Sequence, residues 1–296
     1  MIVKKQPLIS VALCTYNGEL YIEEQLTSIL NQTYTNIEII VVDDGSTDNT
    51  VGIIEQIGKK YPQIKVYKNE FNLGYNKNFE TAFKACNGDY IAISDQDDIW
   101  ITEKLEILLN QISNNWLVFS NSQLINEKGE LLGKQLLDKN FSIETRDFRS
   151  CLFYNSVTGH TSMFSKNFLK YLIPIPEQGY YDWYMGFIAM YHTKITYVSQ
   201  CLTLHRIHQA SATFKTQDKK TKKALLRTET ATNLTNLQTY SGLLPADRKL
   251  ISRIANSYWK KNSLFLIKLI FDDYEKFFPD LKPRSGLSRL NFAIKV

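Results

Sequence analysis

Asp95, Asp97 and Asp98 stand within four positions of one another in YIAISDQDDIW, residues 90–100. Carboxylates this close destabilise one another unless something positive sits among them. One Asp after a strand is explained as a cap for the helix that follows, but three exceed that job. A calcium loop of the EF-hand type fails. Asp95, Asp97 and Glu106 match its positions 1, 3 and 12, yet Ile99 takes position 5 and Trp100 the turn position that needs glycine. The remaining reading is a divalent cation, Mn2+ or Mg2+, held by one or two carboxylates with a diphosphate completing its shell.

The elements around this cluster alternate. PLISVALCTY is a nearly continuous apolar run, the pattern of a strand covered on both faces. ELYIEEQLTSILNQ places Ile22, Leu26, Ile29 and Leu30 at helical spacing. Then come strand IEIIVVDDGS, helix NTVGIIEQIGKKY, strand IKVYKNE, helix NKNFETAFKACNG, strand DYIAIS, helix EKLEILLNQI and strand WLVFSN. Such alternation predicts βαβ units and a parallel sheet, with ligands at the carboxyl ends of the strands. CTYNG, DDGSTD and SDQDD all fall there. No GxxxxGKS/T and no GxGxxG follows the first strand, which argues against P-loop and dinucleotide folds. From 121 to 213 the alternation weakens: NEKG reads as a hairpin turn, TSMFS and KITYVS as strands, YDWYMGFIAMY as a helix. Beyond 214 the chain reads as helices.

At 44% hydrophobic and 22% charged residues the chain is neither disordered nor fibrous. Its longest apolar runs, such as LFLIKLIF at 264–271, fall far short of the roughly 20 residues a bilayer requires. The opening residues run straight into a strand pattern, so no secretory leader is expected. Cys14, Cys86, Cys151 and Cys201 are widely spaced without a CxxC pair, as free thiols of a reducing cytoplasm would be. Charge is uneven: residues 1–98 carry 8 Lys+Arg against 14 Asp+Glu, whereas 214–296 carry 17 against 7.

The stretches CTYNGELYIEEQLTSILNQ, IEIIVVDDGSTDNT, NLGYNKNFETAFKACNGDYIAISDQDDIW and EKL closely resemble the family 2 glycosyltransferases, specifically over residues 7 to about 125. TGHTSMF, YYDWYMGFIA and LHRIHQASAT extend the likeness more weakly to about 213 and look most like the bacterial rhamnosyltransferase-like branch, which builds surface polysaccharides. The resemblance implies an α/β GT-A fold, a Rossmann-like mixed sheet flanked by helices, over 1–213. Residues 1–120 would form the nucleotide-binding half and 121–213 the acceptor half, followed by a basic helical C-terminal extension, 214–296. It also implies inverting transfer of a sugar from a nucleotide-diphosphate donor, deoxythymidine-diphosphate rhamnose or a uridine-diphosphate sugar, to a hydroxyl of a saccharide or lipid-linked acceptor.

Roles follow residue by residue from that likeness. Asp97 and Asp95 match the DXD motif, with Asp97 the direct metal ligand and Asp95 reaching the ribose or a metal-bound water; Asp98 is a helix cap or a support. Thr15, Tyr16 and Asn17 match the first nucleotide-binding segment. Asp44 matches the carboxylate that accepts the pyrimidine N3–H, with Asp43 beside it. Lys77 stands where relatives carry an arginine toward the diphosphate. Arg206 and His208 match an R-x-H pattern near the metal or diphosphate, and His205 is an extra residue where relatives often have tyrosine. Asp182 matches the base that takes the acceptor proton, and Tyr180, Tyr181, Trp183 and Tyr184 around it would raise its pKa and offer a sugar platform. His160 lines the acceptor pocket or satisfies a core contact.

Lys215, Lys219, Lys220, Lys222, Lys223 and Arg227 precede the apolar SLFLIKLIF, itself flanked by Lys260, Lys261 and Lys268. Two readings stand: a peripheral contact with the inner face of the cell membrane, or core and homodimer contacts made by Leu264, Leu266, Ile267 and Ile270. The tail lacks interleaved aromatics and any nucleic-acid motif, which excludes nucleic acid as a partner. A catalytically inactive nucleotide-sugar-binding scaffold is the competing function; it shares the first half and differs at Asp182.

Overall fold

The structure, a computed structural model, describes residues 6–208, 219–260 and 263–296. Lys215 and Lys261, the side chains of Lys219 and Lys220, and the end of LHRIHQASAT beyond His208 lie outside the described residues.

The first half follows the alternation. Strand β1 (Ile9–Thr15), helix α1 (Ile22–Leu30), β2 (Ile37–Asp43), α2 (Thr50–Gly58), β3 (Ile64–Lys68), α3 (Tyr75–Ala85), β4 (Tyr90–Ser94), the short β5 (Ile99–Trp100) and α4 (Lys104–Ile112) succeed one another. Next come β6 (Leu117–Ile125), β7 (Leu131–Gln135), β8 (Ser162–Ser165), a turn of helix α5 (Leu169–Leu172), α6 (Tyr181–Tyr191) and β9 (Ile195–Arg206). The chain closes with α7 (Lys219–Leu237), α8 (Pro245–Tyr258), α9 (Leu264–Asp272), α10 (Tyr274–Phe277) and α11 (Gly286–Lys295).

The sheet order is β3-β2-β1-β4-β8-β6-β9-β5, with β7 hairpinned onto β6 through the expected Asn126–Gly129 turn. β3, β2, β1 and β4 run parallel, so the ends of β1 and β2 lie side by side at Thr15 and Asp43. Beyond β4 the sheet turns mixed, as the family resemblance implied. β8 pairs antiparallel with both β4 and β6 and separates them, which makes the sheet mixed. Local periodicity cannot reveal such an insertion, because a strand's neighbours are chosen by the chain that returns to it.

Strand alternation divides the core. Ile9, Val11, Leu13, Ile39 and Val41 face α1, α2 and α4, meeting Ile22, Leu26, Ile29, Ile54, Leu105 and Leu108. Ala12, Ile40, Val42, Ile91 and Ile93 face the other way, onto Phe79 and Phe83 of α3 and then α6. Leu234 and Leu237 of α7, Ile251 and Ile254 of α8, Ile270 of α9 and Phe277 of α10 belong to this same second cluster. The C-terminal helices therefore share the sheet's core. Each apolar side chain buried here contributes roughly 1.5–3 kcal/mol, and this packing anchors α7 against the loop before α6.

Candidate active site

The loops at the carboxyl ends of β1, β2 and β4 meet at one edge of the sheet. Asp43 accepts from Thr15 Oγ1 (2.8 Å), Ser46 N (2.8 Å), Ser46 Oγ (2.5 Å) and Gly45 N (3.2 Å). All four lone-pair sites of this carboxylate are thereby used inside the loop. Asn17, at φ 49°, accepts from Thr47 N through Oδ1 (2.8 Å) and braces the same turn. Tyr16 is exposed, and its backbone N–H and C=O both bond to the Gln96 side chain (2.8 and 3.0 Å). The residue between Asp95 and Asp97 is thus a clip onto the first nucleotide-binding segment, a role the sequence reading missed.

Asp44 is buried and receives Asn69 Nδ2 (2.8 Å), Leu73 N (2.8 Å) and Gly74 N (2.9 Å). One lone-pair site on Oδ2 stays without a protein donor among the described residues. Gly74, at φ 82°, starts α3 in a conformation that suits glycine. Lys77 in the next turn lies 3.9 Å from both Glu80 and Glu177.

The acid cluster has partners from the end of β9. His208 Nε2 lies 2.8 Å from Asp97 Oδ2, His205 Nδ1 lies 2.9 Å from Asp98 Oδ1, and Arg206 N–H donates to Asp98 Oδ1 (3.1 Å). Arg206 is buried and does not face the cleft as a diphosphate ligand. Its Nε donates to the Asp97 carbonyl (2.8 Å), Nη1 to the Glu127 carbonyl (2.9 Å) and Nη2 to Glu24 Oε2 (2.5 Å), while its plane covers Tyr21. This corrects its expected role to one of positioning. Asp98 does not cap a helix either: α4 begins at Lys104 behind Glu103, whereas Asp98 is wholly buried under β9.

A buried lysine went unforeseen. Lys104, fully buried, donates to the His160 carbonyl (2.6 Å) and Thr203 Oγ1 (2.9 Å), with its ammonium 3.8 Å from the Trp100 ring centroid. Burial pulls its pKa down, and the Asp98 and Asp95 charges hold it up. For Asp95, burial pushes the carboxyl up, and the Asp98 and Asp97 charges push the same way. For His205, burial alone would lower the imidazole; the Asp98 charge and hydrogen bond overcome it and raise it.

His160 is buried too, and its ring stacks on His205 with centroids 4.3 Å apart and planes 7° apart. It therefore packs behind the acid cluster and does not line an open pocket. Ligand atoms of Asp98, His160 and His205 lie within 4.8 Å of one another, and Asp98 Oδ2 is buried with no partner among the described residues. Parallel stacked imidazoles cannot both aim in-plane lone pairs at one ion, so this trio suits a buried charge network better than a metal centre. Asp97 and His208 offer an oxygen and a nitrogen at the cleft side, with Asp95 about a third exposed beside them. That oxygen-rich donor set fits Mg2+ or Mn2+.

Asp182 sits in the first turn of α6, accepting from Asn155 Nδ2 (3.1 Å) and Gly159 N (3.2 Å). Gly159 has no room for a Cβ, which would overlap the Tyr181 hydroxyl. Burial raises the Asp182 pKa to about 6, against the lowering effect of those donors. Gly159, its backbone donor, is followed by His160, whose Nδ1 lies 3.9 Å from Asp95 Oδ2, so one turn links the two carboxylates. Trp183 does not present a sugar platform: it is buried and donates Nε1 to the Cys151 carbonyl (2.5 Å). Tyr75 reaches solvent and stacks on half-buried Tyr180, the residue two before Asp182, at 6.2 Å. Tyr180 in turn donates to Glu229 of α7 (2.5 Å).

A mixed, helix-flanked sheet with acid loops at its parallel edge defines a nucleotide-sugar transferase of the GT-A class. Residues 10–172 match the Glycosyl transferase family 2 profile, and the chain belongs to that family. It is 31% identical over 270 residues to an uncharacterized glycosyltransferase of Haemophilus influenzae, covering 84% of this chain and 79% of that one. A UDP-Glc:α-D-GlcNAc-diphosphoundecaprenol β-1,3-glucosyltransferase of Escherichia coli is 36% identical over 43% of this chain and 50% of its own length. A dTDP-rhamnosyl transferase, RfbG of Shigella flexneri, is 43% identical over 37% of this chain and 38% of its own length. Among solved structures, TarS 1–349 of S. aureus in complex with UDP-GlcNAc aligns with TM-score 0.62 at 20% identity, covering 92% of this chain and 79% of that one. A mannosyltransferase of Pyrobaculum calidifontis with GDP-Man and Mn2+ aligns with TM-score 0.53 at 18% identity, covering 87% and 82%.

Proposed function

We propose that the protein moves a sugar, with inversion, from a nucleotide-diphosphate donor to a hydroxyl of a saccharide or lipid-linked acceptor in bacterial surface polysaccharide synthesis. Donor candidates are dTDP-rhamnose and a UDP-sugar, the nucleotides named for RfbG and for the Escherichia coli glucosyltransferase. The observation that carries this reading is Asp182, held by Asn155 and Gly159 in a turn whose next residue, His160, reaches Asp95, with burial raising its carboxyl to about 6. A base there can take the acceptor proton as the new bond forms, and a pKa near 6 leaves it ionised at neutral pH. Asn155 and Gly159 hold its two oxygens in place.

Asp97 and His208, with Asp95 beside them, would hold Mn2+ or Mg2+, which supplies Lewis-acid stabilisation of the departing diphosphate. Asp44 would use its remaining lone pair for the pyrimidine N3–H. Thr15 and Asn17 shape the loop on which the base lies, and exposed Tyr16 is the face for stacking. Asp43 supports that loop from within. Lys77 would exchange its loose carboxylate partners for the diphosphate.

The test is a panel of nucleotide sugars scored by thermal stabilisation with and without Mn2+, followed by transfer assays on Asp182→Asn. Binding to the folded state raises its stability with occupancy. A donor that stabilises both proteins but is turned over only by the parent supports the assignment. Equal turnover by the two overturns it.

A further inference from the structure

We propose that the cleft between α7, the end of α8, the start of α9 and α11 docks the protein onto an anionic phospholipid bilayer, seating a lipid phosphate among Lys223, Arg227, Lys260 and Lys295. The cleft has a volume of about 210 Å³, and these four basic side chains line it with no Asp or Glu among its described residues. None of the four is ion-paired among the described residues. Arg227 donates Nη2 to the Tyr258 carbonyl (2.9 Å), but its buried Nε has no partner. A buried donor on a cation is costly to leave unmade, and a phosphodiester oxygen is the acceptor that suits it.

Beside the cations lies exposed apolar surface of the wrong kind for water. Leu264 is 83% exposed and Trp259 58%, and each is next in sequence to a residue of the cleft; Leu226 and Ile294 add to it. Tryptophan at the level of lipid headgroups, with lysine and arginine around it, is the composition of an interfacial contact. Leu266 and Ile267 line the cleft, where the first methylenes of a lipid would lie. Four like charges around one cleft also disfavour a second copy of the same surface.

Helix α7 joins this face to the catalytic cleft. Lys223 and Arg227 line the docking cleft, while Glu229, Asn233 and Asn236 bond the loop before Asp182 at Tyr180 and Gln178. Arg227 and Asn233 are six residues apart, about 9 Å along a helix. A docked protein would therefore hold Asp182 close to the membrane surface; this orientation rests on the proposed transfer, whereas lipid binding does not.

The full-length chain is mixed with vesicles of phosphatidylglycerol and phosphatidylcholine, and separately with phosphatidylcholine alone. Sedimentation and tryptophan emission are read. Expected are co-sedimentation with the anionic vesicles alone, reversal by high salt, and a blue shift that disappears in Trp259→Phe. In Arg227→Glu/Lys260→Glu, binding weakens by roughly 30-fold or more, since each basic residue near an anionic surface is worth about a fivefold factor. The salt titration needs no variant, so misfolding of the double variant leaves the question decidable. Absence of binding, equal binding to both vesicles, or undiminished binding by a folded double variant overturns the proposal. So does a concentration-dependent dimer that buries Trp259 without lipid.

Discussion

His208 Nε2 lies 2.8 Å from Asp97 Oδ2, although 111 positions of chain separate them. Strand β9 pairs with β5 immediately after the acid cluster, and that pairing delivers His205, Arg206 and His208 to three successive levels of it. Negative charge from one loop and positive charge from a distant strand end thus meet at a single edge of the sheet.

Removing either member of that pair tests the metal assignment. Asp97→Ala is expected to abolish the Mn2+-dependent part of any donor-induced thermal shift. It should also slow transfer by about three orders of magnitude, the scale of several kcal/mol of Lewis-acid stabilisation. His208→Ala should weaken Mn2+ binding, read by calorimetric titration, while the apo protein keeps its fold. Unchanged metal affinity in both variants would sink the assignment.

Asp182→Asn is expected to lower transfer by roughly 10²–10⁴-fold with donor affinity unchanged. In the parent, kcat/KM should fall as pH drops below about 6, where the Asp182 carboxylate takes up its proton. The same shift predicts a stability effect. The folded carboxyl keeps its proton up to about 6 whereas an unfolded Asp releases it near 3.8, so the folded state binds more protons between these values and loses stability as pH rises through them. Between pH 4 and pH 8 the parent should therefore lose about 1–2 kcal/mol relative to the Asn variant, after allowance for partial exposure, or roughly 2–6 °C in Tm.

Lys104→Met removes a cation from beneath the acid cluster. The His160 carbonyl and Thr203 Oγ1 then lose their buried donor, and unfolding in urea should report a loss of about 1–3 kcal/mol. Pairing the change with Asp98→Asn should recover part of this, because the two charges act on each other. Strict additivity in that double-variant cycle would show the pair to be uncoupled.

Arg206→Lys separates positioning from nucleotide binding. A lysine cannot reach the Asp97 carbonyl, the Glu127 carbonyl and Glu24 together, so stability should fall by about 2 kcal/mol. The affinity for free UDP without metal should hardly change. A large loss of UDP affinity at undiminished stability would restore the diphosphate role to Arg206.

Some of this was visible along the chain and some was not. The strands and helices of residues 9–112 were legible because each buries its own stripe, as Ile22, Leu26 and Ile29 do on α1. The helix YDWYMGFIAMY was legible too, and it places Asp182 in the first turn of α6. The roles of Arg206 and Trp183 were misjudged, and that of His160 was left between pocket and core, for one reason: residue type does not state which way a side chain points. Arg206 turns inward to three backbone and carboxylate acceptors, and Trp183 turns into the core. Lys104 was overlooked because its partners, Thr203, the His160 carbonyl and the Trp100 ring, are almost all far away in sequence.

The order of residues by itself determined the local elements, the placing of acid after parallel strands, and membership of a nucleotide-sugar transferase family, since each depends on short-range periodicity or contiguous motifs. Only the tertiary structure decided which cation serves which carboxylate, that β8 divides the sheet, and that α7 braces the loop of Asp182. Those outcomes depend on distances between segments a hundred residues apart, which are set by how the whole core packs.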